Sequence, residues 1–196
     1  MAEHDSHSDT GSGLNSETEI VLPDSFADVD SMCVGLAPVW CPDARILILG
    51  SMPGQRSLEL QAYYAHPRNA FWQIAEALFG VPAEAPYAQR LGRMVDAGVA
   101  LWDVIGRCRR RGSLDQHIEP DSVEANDLSG LLQRSVQLER IIFNGAAAEA
   151  AFRRHVVPGL APQLAAIERV RVPSTSPAHA AMSRAAKIEA WRGALP

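Results

Sequence analysis

The amino-acid sequence predicts a single α/β domain whose mostly parallel β-sheet is covered by helices on both faces. Four short apolar runs have the length of buried strands, and they span residues 45–49, 99–104, 140–143 and 169–172. Segments with a helical spacing of apolar residues separate these runs. Strands that alternate with helices form βαβ units, in which the strands run parallel. With 196 residues, the chain is long enough to bury one substantial core.

The helices are predicted from the intervals between apolar side chains. From Phe71 to Leu78, apolar residues recur every three or four positions, which places them on one face of a helix. Leu91, Met94 and Val95 form part of a second helical face. The later predicted helices cover residues 123–137 and 146–155, and a final one carries Ile188, Trp191 and Leu195.

The first 32 residues differ in charge from the rest of the chain. They carry eight acidic residues and no Lys or Arg, whereas residues 33–196 hold the other 15 acidic residues and all 18 basic ones, a net charge of +3. We therefore divide the chain into an acidic, disordered leader over residues 1–32 and one domain over residues 33–196. A mildly basic body is compatible with a polyanionic partner. Residues 106–112, GRCRRRG, are interpreted as an exposed loop that is either solvated or in contact with phosphate.

The composition is typical of a globular protein that works in the cytoplasm. Hydrophobic residues make up 47% and charged residues 21% of the chain, and no apolar run approaches the roughly 20 residues that cross a bilayer. The first residues lack the basic start and apolar core of a secretory signal. Cys33, Cys41 and Cys108 show no CxxC spacing, which argues against a zinc ribbon or an iron–sulfur cluster. We expect no membrane association, no metal and no cofactor.

Ligands of open parallel sheets bind at the carboxyl ends of the strands, so the loops that follow the strands are examined for chemistry. Residues 50–54 (GSMPG) and 174–178 (STSPA) combine small or hydroxyl-bearing residues with a proline, and their backbone N–H groups can approach an anion or a sugar. GSMPG is neither a Walker A loop nor GxGxxG, and a tight turn without a ligand explains it equally well. Ser176 could equally cap a following helix, with Pro177 at its first position. The residues that follow the other two strands are 103–111 and 144–145.

A cluster of polar-tipped rings lies between the first loop and the first predicted helix. Tyr63 and Tyr64 could stack on a planar base, or they could close over the core. Asn69 could cap the helix that begins near residue 70, offer its amide to a base edge, or hold a water molecule. His66 precedes a proline and is interpreted as structural.

Taken in order, these motifs resemble those of the uracil-DNA glycosylase superfamily. The order is GSMPG, SL, YYAHPRNAFW, ALWDV, IIFNGAAAEA and PSTSPA, and it extends over nearly all of residues 35–194. The nearest resemblance is to the deoxyinosine (hypoxanthine) DNA glycosylase branch, and AHPRNAFW is also similar to the AHPxNxFW of mismatch-specific uracil/thymine glycosylases. The resemblance implies a three-layer α/β/α sandwich with a central four-stranded parallel sheet. It also implies hydrolysis of the N-glycosidic bond between a deaminated base and deoxyribose, after the nucleotide is flipped out of the duplex.

The same resemblance implies which residues form the site. Asn69 would be catalytic, and it would position water rather than deprotonate it, because an amide cannot take up a proton at neutral pH. Tyr64 would stack on the flipped base, in a base pocket shared with Ser51 and Met52. The DNA backbone would be held by residues of the two serine/proline loops, namely Pro53, Gly54, Ser174, Thr175, Ser176 and Pro177.

Two positions depart from the wider superfamily. Many relatives place Asp or Asn in the first loop to orient the attacking water, where this chain has Met52, so the role would fall to Asn69. That suffices if the glycosidic bond breaks before water adds, because an oxocarbenium-like sugar needs an oriented water more than a strong base. Uracil-specific relatives have a His before the last Ser-Pro, and this chain has none there, since His179 lies beyond Pro177. Stabilisation of the leaving base would fall to hydroxyl and backbone N–H groups.

The lysine content indicates the reaction class. Lys187 is the single lysine among the 18 basic residues, and it is predicted on a solvated face of the final helix, so a Schiff-base lyase step is not expected. We expect a monomeric, monofunctional DNA glycosylase, associated with the nucleoid through its function, whose partner is DNA containing a deaminated base, with deoxyinosine favoured. Two alternatives remain open. One is the same chemistry on uracil in G·U mismatches or single-stranded DNA, and the other is a catalytically silent DNA-binding module.

Overall fold

The structure is a computed structural model that describes residues 32–196. The predicted disordered leader lies outside the described residues, except for Met32. In chain order the elements are β1 (Met32–Val34), β2 (Ile46–Gly50), α1 (Gln55–Leu60), α2 (Phe71–Phe79), α3 (Tyr87–Asp96), β3 (Val99–Asp103), β4 (Ile105–Arg109), β5 (Glu124–Ala125), α4 (Leu128–Arg134), β6 (Arg140–Asn144), α5 (Ala146–His155), α6 (Pro162–Ala165), β7 (Glu168–Val172) and α7 (Arg184–Arg192).

The main sheet has four parallel strands in the order β3-β2-β6-β7. Ile46 at the start of β2 pairs with Val99 on one side and Arg140 on the other, so the four strands end close to one line. All residues of β2 and β3 are buried, as expected of strands that helices cover on both faces. The predicted four-stranded parallel sheet is confirmed, and each of its strands lies within one residue of the predicted position.

Helices cover the two faces of this sheet and form two separate cores. Side chains of β2 alternate between them, with Ile48 in the core under α2, α3 and α7 and Leu47 in the core under α4, α5 and α6. Trp191 of α7 and Phe152 of α5 are the largest fully buried side chains of the two cores. Each such burial contributes roughly 1.5–3 kcal/mol. The three-layer α/β/α arrangement is therefore confirmed.

A second, small antiparallel sheet with the order β1-β4-β5 lies beside the first loop and was not predicted. The interpretation of residues 106–112 as an exposed loop is wrong for most of that segment. Arg107 and Arg109 point to solvent from β4, whereas Cys108 and Arg110 are buried. The side chains of a strand alternate between its two faces, so a run rich in arginine still has a buried face.

Two predicted helices need correction at their ends. In place of a helix over residues 123–137, the chain forms the short strand β5 and then α4, which begins after Asp127 because the side chain of Asp127 accepts a hydrogen bond from the Gly130 N–H. Ser176 does not cap a helix. The final helix begins after Ser183, whose hydroxyl accepts from the Ala186 N–H, and it ends before Leu195. The helix predicted over residues 146–155 is confirmed as α5.

The single lysine does not lie on a solvated face. Lys187 is 5% exposed and its Nζ donates a hydrogen bond to the carbonyl oxygen of His179, 2.8 Å away. Burial lowers the pKa of Lys187. Ile188 was placed on the inward face of the final helix, and Lys187, one position earlier, was placed on the solvated face. The inward face of α7 is wide enough to include both positions, so Lys187 is buried as well.

Candidate active site

A pocket of about 360 Å³ opens at the carboxyl edge of the four-stranded sheet. This volume lies in the range of roughly 300–1,000 Å³ that is typical of small-ligand sites. All four strands end at this edge, as expected for ligand sites of parallel sheets. The walls of the pocket come from residues of five segments, within 50–57, 63–69, 113–115, 144–147 and 174–179, together with Asp103.

The first loop, residues 50–54, is held by its carbonyl groups and one hydroxyl. The Gly50 carbonyl accepts from the Val104 N–H, and the Ser51 hydroxyl donates to Asp115 Oδ2 at 2.8 Å. The Pro53 carbonyl accepts from Arg110 Nη2 at 2.5 Å. The guanidinium group of Arg110 is buried, so this hydrogen bond fixes the loop from behind and leaves the pocket side open.

Met52 of the first loop lines the pocket and also packs against Ile105 and Cys108 of the second sheet. It is buried, and a thioether cannot orient water strongly. The structure thus places Met52 in the pocket wall next to Ser51, with an apolar environment behind it.

The last loop, residues 174–178, is anchored by Asn144 at the end of β6. The Asn144 amide forms two hydrogen bonds with Thr175, from its Nδ2 to Thr175 Oγ1 at 3.0 Å and from the Thr175 N–H to its Oδ1 at 2.9 Å. Thr175 is 1% exposed. The side chain of Thr175 therefore holds the loop in place.

Ser174 and Ser176 form local turns whose hydroxyl oxygens accept from the backbone. The Ser176 N–H donates to Ser174 Oγ at 3.2 Å, and the Ala178 N–H donates to Ser176 Oγ at 3.3 Å. Both serines and Pro177 line the pocket. Gly145 has a φ of +102°, and a Cβ atom there would come within 2.9 Å of Ser174 Cβ, so the loop depends on this glycine.

Residues 63–72, called here the aromatic segment, include Tyr64, which lies in the pocket wall. The Tyr64 ring stacks on Phe71, with ring centroids 3.8 Å apart and an interplanar angle of 18°. Tyr64 has a φ of +55°, a conformation that side chains other than glycine rarely adopt. Its hydroxyl is buried and makes no hydrogen bond of ordinary geometry within residues 32–196. Burial raises the pKa of Tyr64, and the nearby side chain of Asn144 opposes this shift. Tyr63, in contrast, closes over the core and donates from its hydroxyl to the Ala37 carbonyl at 3.0 Å.

Asn69 lies half-buried in the pocket wall, close to the start of α2. The side-chain Oδ1 of Asn69 accepts from the Phe71 N–H at 3.0 Å, and the backbone N–H of Asn69 donates to the His66 carbonyl at 2.8 Å. The next N–H, that of Ala70, donates to the Thr175 carbonyl and ties this segment to the last loop. The N-cap position of α2 is held by Ala70, so Asn69 is not the cap that was considered for it; its side chain accepts from the N–H of Phe71, the first residue of α2, and lines the pocket.

Two carboxylates of the pocket were not assigned a function from the sequence. Asp103 is the last residue of β3 and is 4% exposed, and Asp115 lies after β4, just beyond residues 106–112. Desolvation raises the pKa of Asp103 to about 7, an effect that Asp115 increases and Arg110 opposes. Desolvation of the carboxyl group, which accepts from the Ser51 hydroxyl, also raises the pKa of Asp115, although the residue as a whole is exposed. A charged residue that ends a buried strand at the ligand edge, as in VALWD, is a signal that could have identified Asp103.

The part of the chain that the structure describes shows no cluster of three or more His, Cys, Asp or Glu side chains that could hold a metal ion. Within the same residues, no helix is long and apolar enough to cross a membrane.

The structure is that of an α/β/α protein with a pocket at the carboxyl end of its parallel sheet, between two serine/proline loops and an aromatic segment. Residues 37–194 match the family model of the uracil DNA glycosylase superfamily. The chain belongs to this superfamily, and the family resemblance found in the sequence is confirmed.

Similar proteins come from two species of Methanosarcina. The chain is 35% identical to the hypoxanthine DNA glycosylase of Methanosarcina barkeri and 36% identical to that of Methanosarcina acetivorans, in each case over 112 residues, which are 57% of this chain and 70% of the relative. The solution NMR structure of a Methanosarcina acetivorans protein, described as a candidate uracil DNA glycosylase, has a TM-score of 0.65 and 29% sequence identity. That comparison covers 83% of this chain and 98% of the other.

Proposed function

We propose that the protein is a monofunctional DNA glycosylase that hydrolyses the N-glycosidic bond of a deaminated base, preferentially hypoxanthine, and leaves an abasic site. Membership of the superfamily and the two relatives named hypoxanthine DNA glycosylases support this function. The observation that carries the proposal is the presence of Asn69, Tyr64 and both serine/proline loops in one pocket of about 360 Å³. The protein acts as a monomer on DNA in the cytoplasm.

Tyr64 provides the stacking surface for the flipped base. Phe71, which is buried and does not line the pocket, covers one face of the Tyr64 ring, and Tyr64 itself lines the pocket. A base in the pocket would therefore extend an existing aromatic stack, a contact worth about 1–3 kcal/mol per base. Stacking accepts any planar base, so the preference for hypoxanthine depends on polar groups deeper in the pocket.

Asn69 positions the attacking water. One lone pair of its Oδ1 takes the Phe71 N–H, and this bond fixes the plane of the carboxamide. The second lone pair can accept a hydrogen bond from a water molecule, whose own lone pair then faces C1′ of the sugar. Orientation of this kind suffices for an oxocarbenium-like sugar.

The two loops hold the phosphates on either side of the extruded nucleotide. The hydroxyl oxygens of Ser174 and Ser176 accept from the backbone, so their protons remain available for phosphate oxygens. Pro53, Gly54 and Pro177 line the same pocket and shape its walls. Because phosphate contacts displace counterions, duplex binding is expected to weaken as the salt concentration rises.

The reaction stops at the abasic site because, among the described residues, no lysine amine lines the pocket to form a Schiff base. The Nζ of Lys187 is bonded to the His179 carbonyl, and Lys187 does not line the pocket. Strand cleavage by β-elimination would need a nucleophilic amine at C1′.

Uracil is the second candidate base, and the structural relative described as a candidate uracil DNA glycosylase favours it. A panel of labelled duplexes, each with one deoxyinosine, deoxyuridine, deoxyxanthosine or mismatched thymine, separates the candidates. We expect strand breaks with deoxyinosine only after hot alkali. Faster release of uracil would make uracil the substrate, breaks before alkali would exclude a monofunctional enzyme, and no breaks with any base would leave a silent DNA-binding module.

Variants of Asn69 test its function in the same assay. Asn69→Ala should lower the rate of base release by about 10²–10³-fold while duplex binding persists. Asn69→Asp is the matched control for folding, because its carboxylate still accepts from the Phe71 N–H. Wild-type base release by Asn69→Ala would remove Asn69 from the mechanism.

A further inference from the structure

We propose that Asp103 donates the proton that the departing base takes up as its glycosidic bond breaks. This inference rests on the proposed function and extends it to the leaving group. The chain has no His in the last loop to stabilise the departing base, and hydroxyl and N–H groups of that loop were the expected substitutes. The structure instead places a carboxyl group in the floor of the pocket.

The position of Asp103 follows from the pairing of β3 with β2. Asp103 is the last residue of β3 and pairs with Gly50, the last residue of β2. Its side chain therefore lies at the carboxyl edge of the sheet, where the pocket opens. A Cβ atom on Gly50 would overlap Asp103 Oδ1. Glycine at position 50 therefore leaves room for the carboxyl group below the first loop.

The carboxyl group of Asp103 is not used by the fold. Its Oδ2 is buried and has no hydrogen-bond partner among the described residues, although Asp103 lines the pocket. A buried carboxyl oxygen without a partner costs free energy unless it is protonated or meets a ligand. A base in the pocket would supply the missing partner.

Burial, together with the charges that face Asp103, sets the pKa of its carboxyl group near neutral pH. Desolvation raises its pKa to about 7, Asp115 from the segment after β4 raises it further, and Arg110 at the end of β4 opposes the shift. Tyr63 and Tyr64 face it from the segment before α2, and both phenols are neutral because burial raises their pKa values. A general acid works best when its pKa is close to the working pH.

The other polar groups near the base are poorer proton donors. Both ends of the Asn144 amide are bonded to Thr175. Burial raises the pKa of Tyr64, which makes its hydroxyl a weaker acid than a free phenol. The second carboxyl group of the pocket, that of Asp115, accepts a hydrogen bond from the Ser51 hydroxyl, and this bond favours the ionised form of Asp115. Asp103 is therefore the better placed of the two carboxyl groups to donate a proton.

The proposed step balances. The C1′–N9 bond breaks and its electron pair moves to the purine, while the Asp103 proton is transferred to a ring nitrogen, so the base leaves neutral. Water held by Asn69 then adds its oxygen to C1′, and the excess proton of that water returns to the Asp103 carboxylate. The net reaction is hydrolysis, and the acid is restored for the next turnover.

The test is the pH dependence of single-turnover base release from a deoxyinosine duplex between pH 5 and 9. For the wild type we expect a constant rate below pH 7 and a fall of about tenfold per pH unit above it. Asp103→Asn should be slower by about 10²–10⁴-fold below pH 7 and should lose the alkaline fall. Asp115→Asn, which removes the charge that raises the pKa of Asp103, should move the start of the fall to lower pH.

The outcomes distinguish this inference from the proposed function. If the wild type releases hypoxanthine and Asp103→Asn shows the same rate and alkaline fall, Asp103 is not the acid, while the proposed function stands. A wild-type rate that rises through pH 7 would make the ionised carboxylate the active form and would also overturn the inference. If the wild type releases no base from any duplex of the panel, both the proposed function and this inference fail. Duplex binding by each variant, measured in parallel, shows that the fold is intact.

Discussion

Replacement of Asp103 by Asn should stabilise the protein at alkaline pH and affect its stability less at acidic pH. Desolvation raises the pKa of Asp103 from 3.8 to about 7, so the native state keeps the proton over about three pH units in which the unfolded chain has lost it. The free energy of unfolding of the wild type therefore falls as the pH rises from about 4 to about 7 and is constant above. At 1.36 kcal/mol per unit, the ionised carboxylate costs up to about 4 kcal/mol at pH 8.

Urea unfolding at pH 5 and pH 8, followed by the fluorescence of the four tryptophans, measures this effect. Asp103→Asn should gain up to about 4 kcal/mol over the wild type at pH 8 and about 1.5 kcal/mol at pH 5, since an amide of the same size does not ionise. Asp96→Asn, at an exposed position of α3, is the control for the loss of one negative charge. An equal difference between Asp103→Asn and the wild type at both pH values would refute the argument.

Two further variants test the pocket walls. Tyr64→Phe should keep stability and base release within a few-fold, because the stack on Phe71 remains and the deleted hydroxyl has no partner, whereas Tyr64→Ala should slow base release by about 10–100-fold in the same single-turnover assay. Equal rates for Tyr64→Ala and Tyr64→Phe would exclude the stacking function. Thr175→Val should cost about 1 kcal/mol or more in thermal unfolding, because Asn144 Nδ2 loses its acceptor, and a variant as stable as the wild type would show that this pair does not hold the last loop.

The sequence predicted the parts of the fold that depend on local pattern. The run ILILG at β2 is apolar throughout because the strand is buried on both faces. An apolar run of this length therefore predicts a buried strand, and the structure has one there. The second sheet was missed because β1 and β5 have three and two residues, too few for a periodic pattern, and because two of the five residues of β4 are arginines. Its strands exist through pairing between distant parts of the chain, which local pattern does not report.

The order of the motifs identified several residues that line the pocket, but it did not identify the residues whose chemistry depends on burial. Asn69, Tyr64 and both loops meet in one pocket, as the family resemblance implied. The burial of Lys187 could not be read from SRAAKIEAW, because its Nζ is accommodated by one carbonyl group of a distant loop. The properties of Asp103 likewise depend on Gly50, Arg110 and Asp115, which come from other parts of the chain.

The most direct measurement of the central claim is mass spectrometry of the products formed from a deoxyinosine duplex in H₂¹⁸O. The proposed function predicts one equivalent of free hypoxanthine and an unbroken strand whose abasic sugar carries ¹⁸O at C1′. Absence of free hypoxanthine, or a strand already broken on the 3′ side of the sugar, would contradict it.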